Sequence, residues 1–296
     1  MTIGRLAAAI GSGPRPIAVL AGAGVSRSAG IPTGQELLAR AARERGQAPA
    51  GDPVPWYQAA TGRFPDYFAM AGAEPDGDTL PPQPYRDARP GVAHRMIARL
   101  VVAGWAGPVL TTNLDPLLER ALAEVGLRVP VAFDLASVAG ADLSGPVLVK
   151  LHGDYRDTSI RRTAPALHRY HPAIDTLLDR VFTGFDLLVC GWSASWDLPL
   201  SEALRRAGGR RIHWLQCGPP TAAARQIMRA RHPAVAPVPG SDAGLSALVG
   251  CLLGTAGTAG EPPPTPRRGR APGTGSAGPA APGAGSASTI CATPAR

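Results

Sequence analysis

Short apolar runs with no polar interruption, alternating with segments of helical spacing and led by a glycine-rich turn, predict an α/β fold. The expected architecture is a doubly wound, Rossmann-like parallel sheet with helices on both faces, a small, partly helical insertion and a disordered C-terminal tail. Continuous apolar strands imply that both faces of the sheet are covered, because a sheet with one wet face alternates apolar and polar residues. The helices between strands supply those covers. In such a sheet the binding crevice lies beyond the carboxyl ends of the strands.

The first strand is Ile17 to Leu20, and VLAGAGVSRSAGIPTG carries it into a turn holding Gly22, Gly24 and Gly30. Glycine there serves either a tight strand-to-helix turn or a loop that lets phosphate oxygens reach backbone amides. A helix follows over Gln35 to Arg45. From about residue 47 to 90 the chain is polar and Pro-rich, apart from WYQAATGRFPDYFAM. That island has Trp56, Tyr57, Phe64, Tyr67 and Phe68, too many aromatics for a passive linker, so it reads as the insertion. Beyond it, helices are expected over Val92 to Ala103, Pro116 to Val125, Ile174 to Val181 and Leu198 to Arg206. Strands are expected over Pro108 to Thr112, Val147 to Leu151, Leu187 to Cys190 and Ile212 to Gln216. From about Gly254 the composition collapses into Gly, Pro, Ala, Ser and Thr, which cannot bury enough apolar surface to offset chain entropy. The chain therefore divides into a folded unit, 1–254, and a disordered tail, 255–296.

Composition narrows the function classes. Hydrophobic residues make up 45% of 296, ample for a core. The formal charge of +8 invites a nucleic-acid partner, yet Lys150 is the only lysine and the arginines read as scattered rather than gathered into a stripe. Arg267, Arg268, Arg270 and Arg296 against Glu261 put part of the excess in the tail, so composition speaks against nucleic acid. Cys190, Cys217, Cys251 and Cys291 form no CxxC pair, which supports neither a zinc ribbon nor a disulfide framework. No apolar stretch approaches the roughly 18 residues a membrane span needs. The expected setting is a reducing cytoplasm, with no membrane association.

Four strand ends carry the chemistry. Gly22, Ala23, Gly24, Ser26 and Ser28 follow the first strand, and TTNLD with Asn113 and Asp115 follows the second. KLHGD with His152 ends the third, and GWSASWD with Gly191, Ser193 and Asp197 follows the fourth. Each has a plainer reading alone: Asn113, Asp115 or Asp197 can cap a following helix, His152 can be a satisfied strand-end histidine, and Gly191 and Ser193 can be turn residues. Their convergence on one rim is what argues for a site. The glycine loop is not a dinucleotide GxGxxG, since its sixth position is Arg27, and no acidic residue stands clearly placed about 20 residues on to hold a ribose, which argues against a hydride-transfer dehydrogenase.

These residues resemble the sirtuin, or Sir2, family. GAGVSRSAGIP is similar to its GAGxSxxSGIP loop, with Ala29 in place of serine. RPGVAHRMIARLVVAGWAGPVLTTNLD is similar to its Pro-x-x-x-His helix and TQNxD strand end, with Thr112 in place of glutamine. KLHGD resembles the strand bearing the catalytic histidine, and GWSASWD the later Gly-x-Ser loop. The similarity runs in order from about residue 15 to 215. Thr33-Gly34-Gln35 stands where deacylases have Asp-Phe-Arg, the two CxxC pairs of their structural zinc are missing, and no acyl-lysine clamp is recognisable. The pattern instead resembles the Sir2-like domains of bacterial proteins, many of which hydrolyse NAD in antiphage defence.

The resemblance implies NAD as substrate and no zinc. It implies that Gly22, Ala23, Gly24, Ser26, Gly30, Ile31, Pro32 and Thr112 line the NAD site, the first four cradling the pyrophosphate, while Gly191 and Ser193 contact the adenosine half and Asp197 a ribose hydroxyl. Asn113 would orient the nicotinamide ribose and the attacking water, Asp115 would grip the carboxamide, and His152 would accept a proton from a ribose hydroxyl or from the water. His94 resembles a structural position. His168 and His171, flanking Tyr170, read as a solvated loop or as pocket lining. Two other functions stay open: an NAD-dependent lysine deacylase without zinc, and a non-enzymatic module that binds NAD or ADP-ribose. A free-running NAD hydrolase would harm its host, so activity is expected to wait on a homo-oligomer or a separate regulatory protein, and the insertion is expected to cover the nicotinamide side.

Overall fold

A computed structural model describes residues 1–47, 53–62, 87–154, 169–195 and 197–254, all within a compact unit spanning Met1–Ala259. The tail 255–296, most of the aromatic island, and His168 lie outside the described residues.

Helix α1 (Ile3–Gly11) precedes β1 (Ile17–Ala21), whose loop makes two short 3-10 turns (Ala23–Val25 and Arg27–Ala29) before α2 (Gly34–Glu44). Thr33 starts α2 by a reciprocal cap: its hydroxyl accepts the Glu36 amide at 3.2 Å, and the Glu36 carboxylate accepts the Thr33 amide at 2.8 Å. Helix α3 (Val54–Thr61) falls inside the expected insertion, which is partly helical there, and packs against α2. Then come α4 (Val92–Val102), β2 (Ala106–Thr111), α5 (Leu117–Glu124), β3 (Val131–Ala132), α6 (Leu135–Ala139) and β4 (Val147–Lys150). The chain continues through α7 (Pro172–Gly184), β5 (Leu187–Cys190), α8 (Leu198–Arg206), β6 (Ile212–Cys217), α9 (Ala222–Arg231), β7 (Ala234–Val238) and α10 (Ser241–Leu252).

The seven strands form one sheet in the order β3-β4-β2-β1-β5-β6-β7, and all six pairings are parallel. Alternate residues of each strand enter opposite cores, as the two-residue side-chain period of a strand requires. Ala18, Leu20, Leu110, Val149, Val189 and Trp214 pack with α7, α8 and α9, whereas Ile17, Val19, Val109, Leu148, Leu188 and Leu215 pack with α1, α4, α5 and α10. This is the expected doubly wound α/β sheet. Its winding reverses between β1 and β5, so the loops after those two strands flank the switch point where such folds hold ligands. No helix among the described residues is long and apolar enough to cross a membrane.

Six elements lie outside the sequence expectation: α1, β3, α6, β7, α9 and α10. Pro237 argues against a strand at β7, but β7 is the sheet edge, where a missing amide is tolerated. Part of the basic charge also has a local explanation. Arg205, Arg206, Arg229 and Arg231 sit in the last turns of α8 and α9, where the helix dipole favours cations. Arg231 also donates to the carbonyls of Leu204 and Arg210, at 2.5 and 3.2 Å.

His213 on β6 is buried, and neither ring nitrogen has a hydrogen-bond partner among the described residues. Burial pushes its pKa down, with Asp186 pulling it up and Arg211 pushing it further down. The unfolded chain therefore binds a proton here at higher pH than the folded one. The stability contributed is intact above about pH 6.5 and is lost as pH falls toward the lowered value. Replacing His213 by Leu removes two unpartnered nitrogens and the titration together. A gain of about 1 kcal/mol, roughly 2–4 °C in Tm, is expected at pH 7.5, and a larger one at pH 5.5. Thermal melts showing no gain at either pH would contradict this.

Candidate active site

Register fixes where the strand-end loops emerge. Lys150 on β4 pairs with Thr111 on β2, Thr111 with Ala21 on β1, and Ala21 with Cys190 on β5. Four neighbouring strands thus end on one row, about 14 Å across at the usual spacing of about 4.8 Å. The four motifs leave the sheet side by side.

The glycines of the first loop are explained by packing. A Cβ on Gly22 would stand 2.6 Å from the Gly191 carbonyl oxygen and 2.6 Å from Trp192 Cα, and one on Gly24 would stand 2.8 Å from Gly191 Cα. Gly191 itself has φ +63, and a Cβ there would lie 2.6 Å from the Val25 nitrogen. The loops after β1 and β5 therefore touch backbone to backbone. Gly22 and Gly24 also donate their amides across this seam, to the carbonyls of Cys190 at 3.0 Å and Gly191 at 2.8 Å. Those two amides already have protein acceptors, and a phosphate would have to compete for them.

Below this seam lies a buried polar network. The Ser26 hydroxyl donates to Asp115 Oδ2 at 2.8 Å and accepts from Asn113 Nδ2 at 2.9 Å. His94 Nδ1 accepts the Gly91 amide at 3.0 Å, so in this arrangement the ring proton sits on Nε2, which donates to Ser26 Oγ at 3.1 Å. Ser26 thereby makes the one donation and two acceptances available to a hydroxyl. Burial holds the His94 pKa low against the pull of Asp115 and Asp242, in keeping with a neutral ring. Asn113 also donates to the Gly22 carbonyl at 3.2 Å, which identifies its nitrogen and leaves Oδ1 without a protein partner among the described residues. Asp115 Oδ1 accepts the amide of Leu117, the first residue of α5, at 3.1 Å. Both Asp115 oxygens thus serve the protein: one caps a helix and the other holds Ser26.

On the far side, His152 Nε2 lies 2.5 Å from Asp197 Oδ2, and the Tyr170 hydroxyl donates to that same oxygen. Asp197 Oδ1 accepts the Leu200 amide at 2.9 Å, starting α8. Burial works to raise the Asp197 pKa, but the charge of His152 and the hydrogen bonds from His152, Tyr170 and Leu200 outweigh it and hold the carboxyl below its ordinary value. An ionised Asp197 draws the imidazole proton to Nε2. His152 Nδ1 has no protein partner among the described residues, and the ring is 20% exposed. The bond joins loops after β4 and β5, strands separated in the sheet by β2 and β1, so it reaches over the ends of both.

Residues 108–231 match the model of the SIR2-like domain. That stretch is 124 of the 296 residues, so the chain is similar to the SIR2-like domain over somewhat less than half its length. The match opens in β2 and closes in α9, taking in Asn113, Asp115, His152, Gly191, Ser193 and Asp197, while the glycine loop and Ser26 precede it. A Sir2 homologue mutant solved with ADP-ribose superposes at a TM-score of 0.52 and 18% identity, over 85% of this chain and 97% of its own, and so shares the fold. A Sir2 homologue–NAD complex gives a TM-score of 0.45 at 16% identity, over 86% of this chain and 94% of its own. No curated protein matches the chain by sequence.

Within the matched stretch and the loop that precedes it, the expected residues fall into two sets. Ala23, Gly24, Pro32, Thr112, His152, Gly191 and Ser193 are half-buried and Gly30 is exposed, whereas Gly22, Ser26, Ile31, Asn113, Asp115 and Asp197 are buried. Ser193 is held through its carbonyl, which accepts the Thr221 hydroxyl at 2.6 Å. Three residues bear on the site beyond the expected set. His94 joins it through Ser26, Tyr170 through Asp197, and Thr111 by accepting the Asn113 amide at 3.0 Å. His171 instead caps α7 from an exposed position. Among the described residues no group of three His, Cys, Asp or Glu side chains could hold a metal ion.

Proposed function

We propose that this protein binds NAD across the carboxyl edge of the sheet and hydrolyses it to nicotinamide and ADP-ribose. The observation that carries the reading is the pairing of an open acceptor, His152 Nδ1, with a buried Asp197 that orients its ring. It sits on the same strand-end row as Asn113, whose Oδ1 is also open. Hydrolysis of the nicotinamide–ribose bond develops positive charge on the ribose while a neutral base departs. The site must therefore orient a hydroxyl or a water and take a proton, without needing a strong acid. Asn113 Oδ1 accepts a hydrogen bond from the ribose or from the water. His152 Nδ1 takes the proton, and the imidazolium that results is stabilised by Asp197. The half-buried Ala23, Gly24, Thr112, Gly191 and Ser193 line the way to the switch point, where the dinucleotide lies. The ADP-ribose held by a structure of the same fold supports this placement.

A role in antiphage defence accords with the reading, and so does activation by self-association or by a separate regulatory protein. The decisive experiment incubates the protein with NAD over a range of protein concentrations, with and without an acetylated lysine peptide, and separates the products by chromatography. Nicotinamide and ADP-ribose in equal amounts without peptide are expected. Turnover only with peptide would assign a deacylase, and binding with no nicotinamide at any concentration would assign a non-enzymatic module.

A further inference from the structure

Lys150 is the only lysine in the chain, and its side chain is 0% exposed. Its ammonium meets four oxygens: the carbonyls of Leu114 at 3.1 Å and Asp115 at 2.9 Å, Glu119 Oε1 at 2.8 Å and Asp154 Oδ2 at 2.7 Å. Burying such a cluster is unfavourable, since each ion loses hydration worth several kcal/mol, and a well-packed apolar side chain would often stabilise the fold as well or better. An apolar residue would suit the end of β4, whose neighbours Leu148, Val149 and Leu151 are all buried. Packing therefore gives no reason for a charge here, but the partners do. Two are backbone carbonyls of the loop that carries Asn113 and Asp115. A third, Asp154, lies two residues beyond His152.

We propose that Lys150 is a positioning residue: its ammonium, held by Asp154 and Glu119, ties the loop after β2 to the loop after β4 and so sets Asn113 against His152. This deepens the proposed hydrolysis and rests on it. Lysine suits the task, because a compact ammonium with three donors, one of them shared between two oxygens, can face two carbonyls and two carboxyl groups from one point, which a planar guanidinium, its donors spread over a fork, does not match.

Lys150→Met alone removes a cation from beside the buried Asp154 carboxylate, and loss of folding would be an ambiguous result. The test therefore also uses the variant Lys150→Met/Asp154→Asn/Glu119→Gln, which leaves no charge in the cluster, in the full chain. Hydrogen exchange is read at residues 112–118 and 152–154, with β5 and β6 as internal references, beside kcat and KM for NAD. The triple variant is expected to melt cooperatively, with exchange in the two loops faster by about tenfold and unchanged in β5 and β6. Its kcat should fall about 100-fold while KM stays within about threefold, since misplacement of reacting groups by about 1 Å has that effect. Wild-type exchange in both loops, or looser loops with wild-type kcat, overturns the proposal. Should the wild-type protein release no nicotinamide, the hydrolase reading fails by itself, while the exchange data still decide whether Lys150 ties the loops.

Discussion

His152→Ala is expected to lower nicotinamide release from NAD by about 10²–10⁴-fold, the range over which a positioned general base acts. The ring stands at the end of β4 with one nitrogen engaged by Asp197 and the other open, so truncation removes the proton acceptor and leaves the sheet core intact. Asp197→Asn is the companion test. Asparagine still caps α8 through Leu200, so the helix start survives, but the charge that draws the proton to Nε2 is gone. It should fall by at least about tenfold, with a melting temperature closer to wild type than its activity. Initial rates, read beside thermal melts, separate chemistry from folding. Full turnover in His152→Ala would sink the assignment of the base, and full turnover in Asp197→Asn would reduce Asp197 to a cap.

The second large effect is on stability. Gly22→Ala places a methyl 2.6 Å from two backbone atoms of the 191–192 segment, and Gly24→Ala places one 2.8 Å from Gly191 Cα. Backbone cannot rotate aside as a side-chain tip can, so one loop must shift. Overpacking of this kind costs about 3 kcal/mol, or roughly 6–12 °C in Tm for a domain of this size. Gly30→Ala is the built-in control. Gly30 has φ +84, yet no atom of the described residues would lie within 4 Å of an added Cβ, so the substitution incurs only left-handed backbone strain of about 1–2 kcal/mol. Melting temperatures that rank Gly30→Ala as the most damaging of the three would refute the steric argument.

The fold was legible wherever a strand was buried on both faces. IAVL, LLVC and their counterparts have no polar interruption because helices cover them on either side, and the same runs fix the row on which the loops emerge. The elements that escaped lie where local signals conflict with context: Pro237 in an edge strand, Gly244 and Gly250 inside α10, and a β3 of only two residues. At the site, residue types were legible but partners were not. GAGVS reads as a phosphate loop, yet Gly22 and Gly24 meet Gly191, some 170 positions away, and no spacing in the sequence reports that approach. Asp197 admitted both a cap and a ligand contact, and in the structure its two oxygens split between a cap and His152. Tyr170 and His94 looked ordinary because their roles depend on what stands opposite them in space.

The seam between Gly22, Gly24 and Gly191 also has a mechanical meaning. Two stretches of main chain meet there with no compressible side chain between them, and hydrogen bonds clip them together at Cys190 and Gly191. The halves of the switch point thus form a single rigid jaw, and a guest that pushes on either half must displace both.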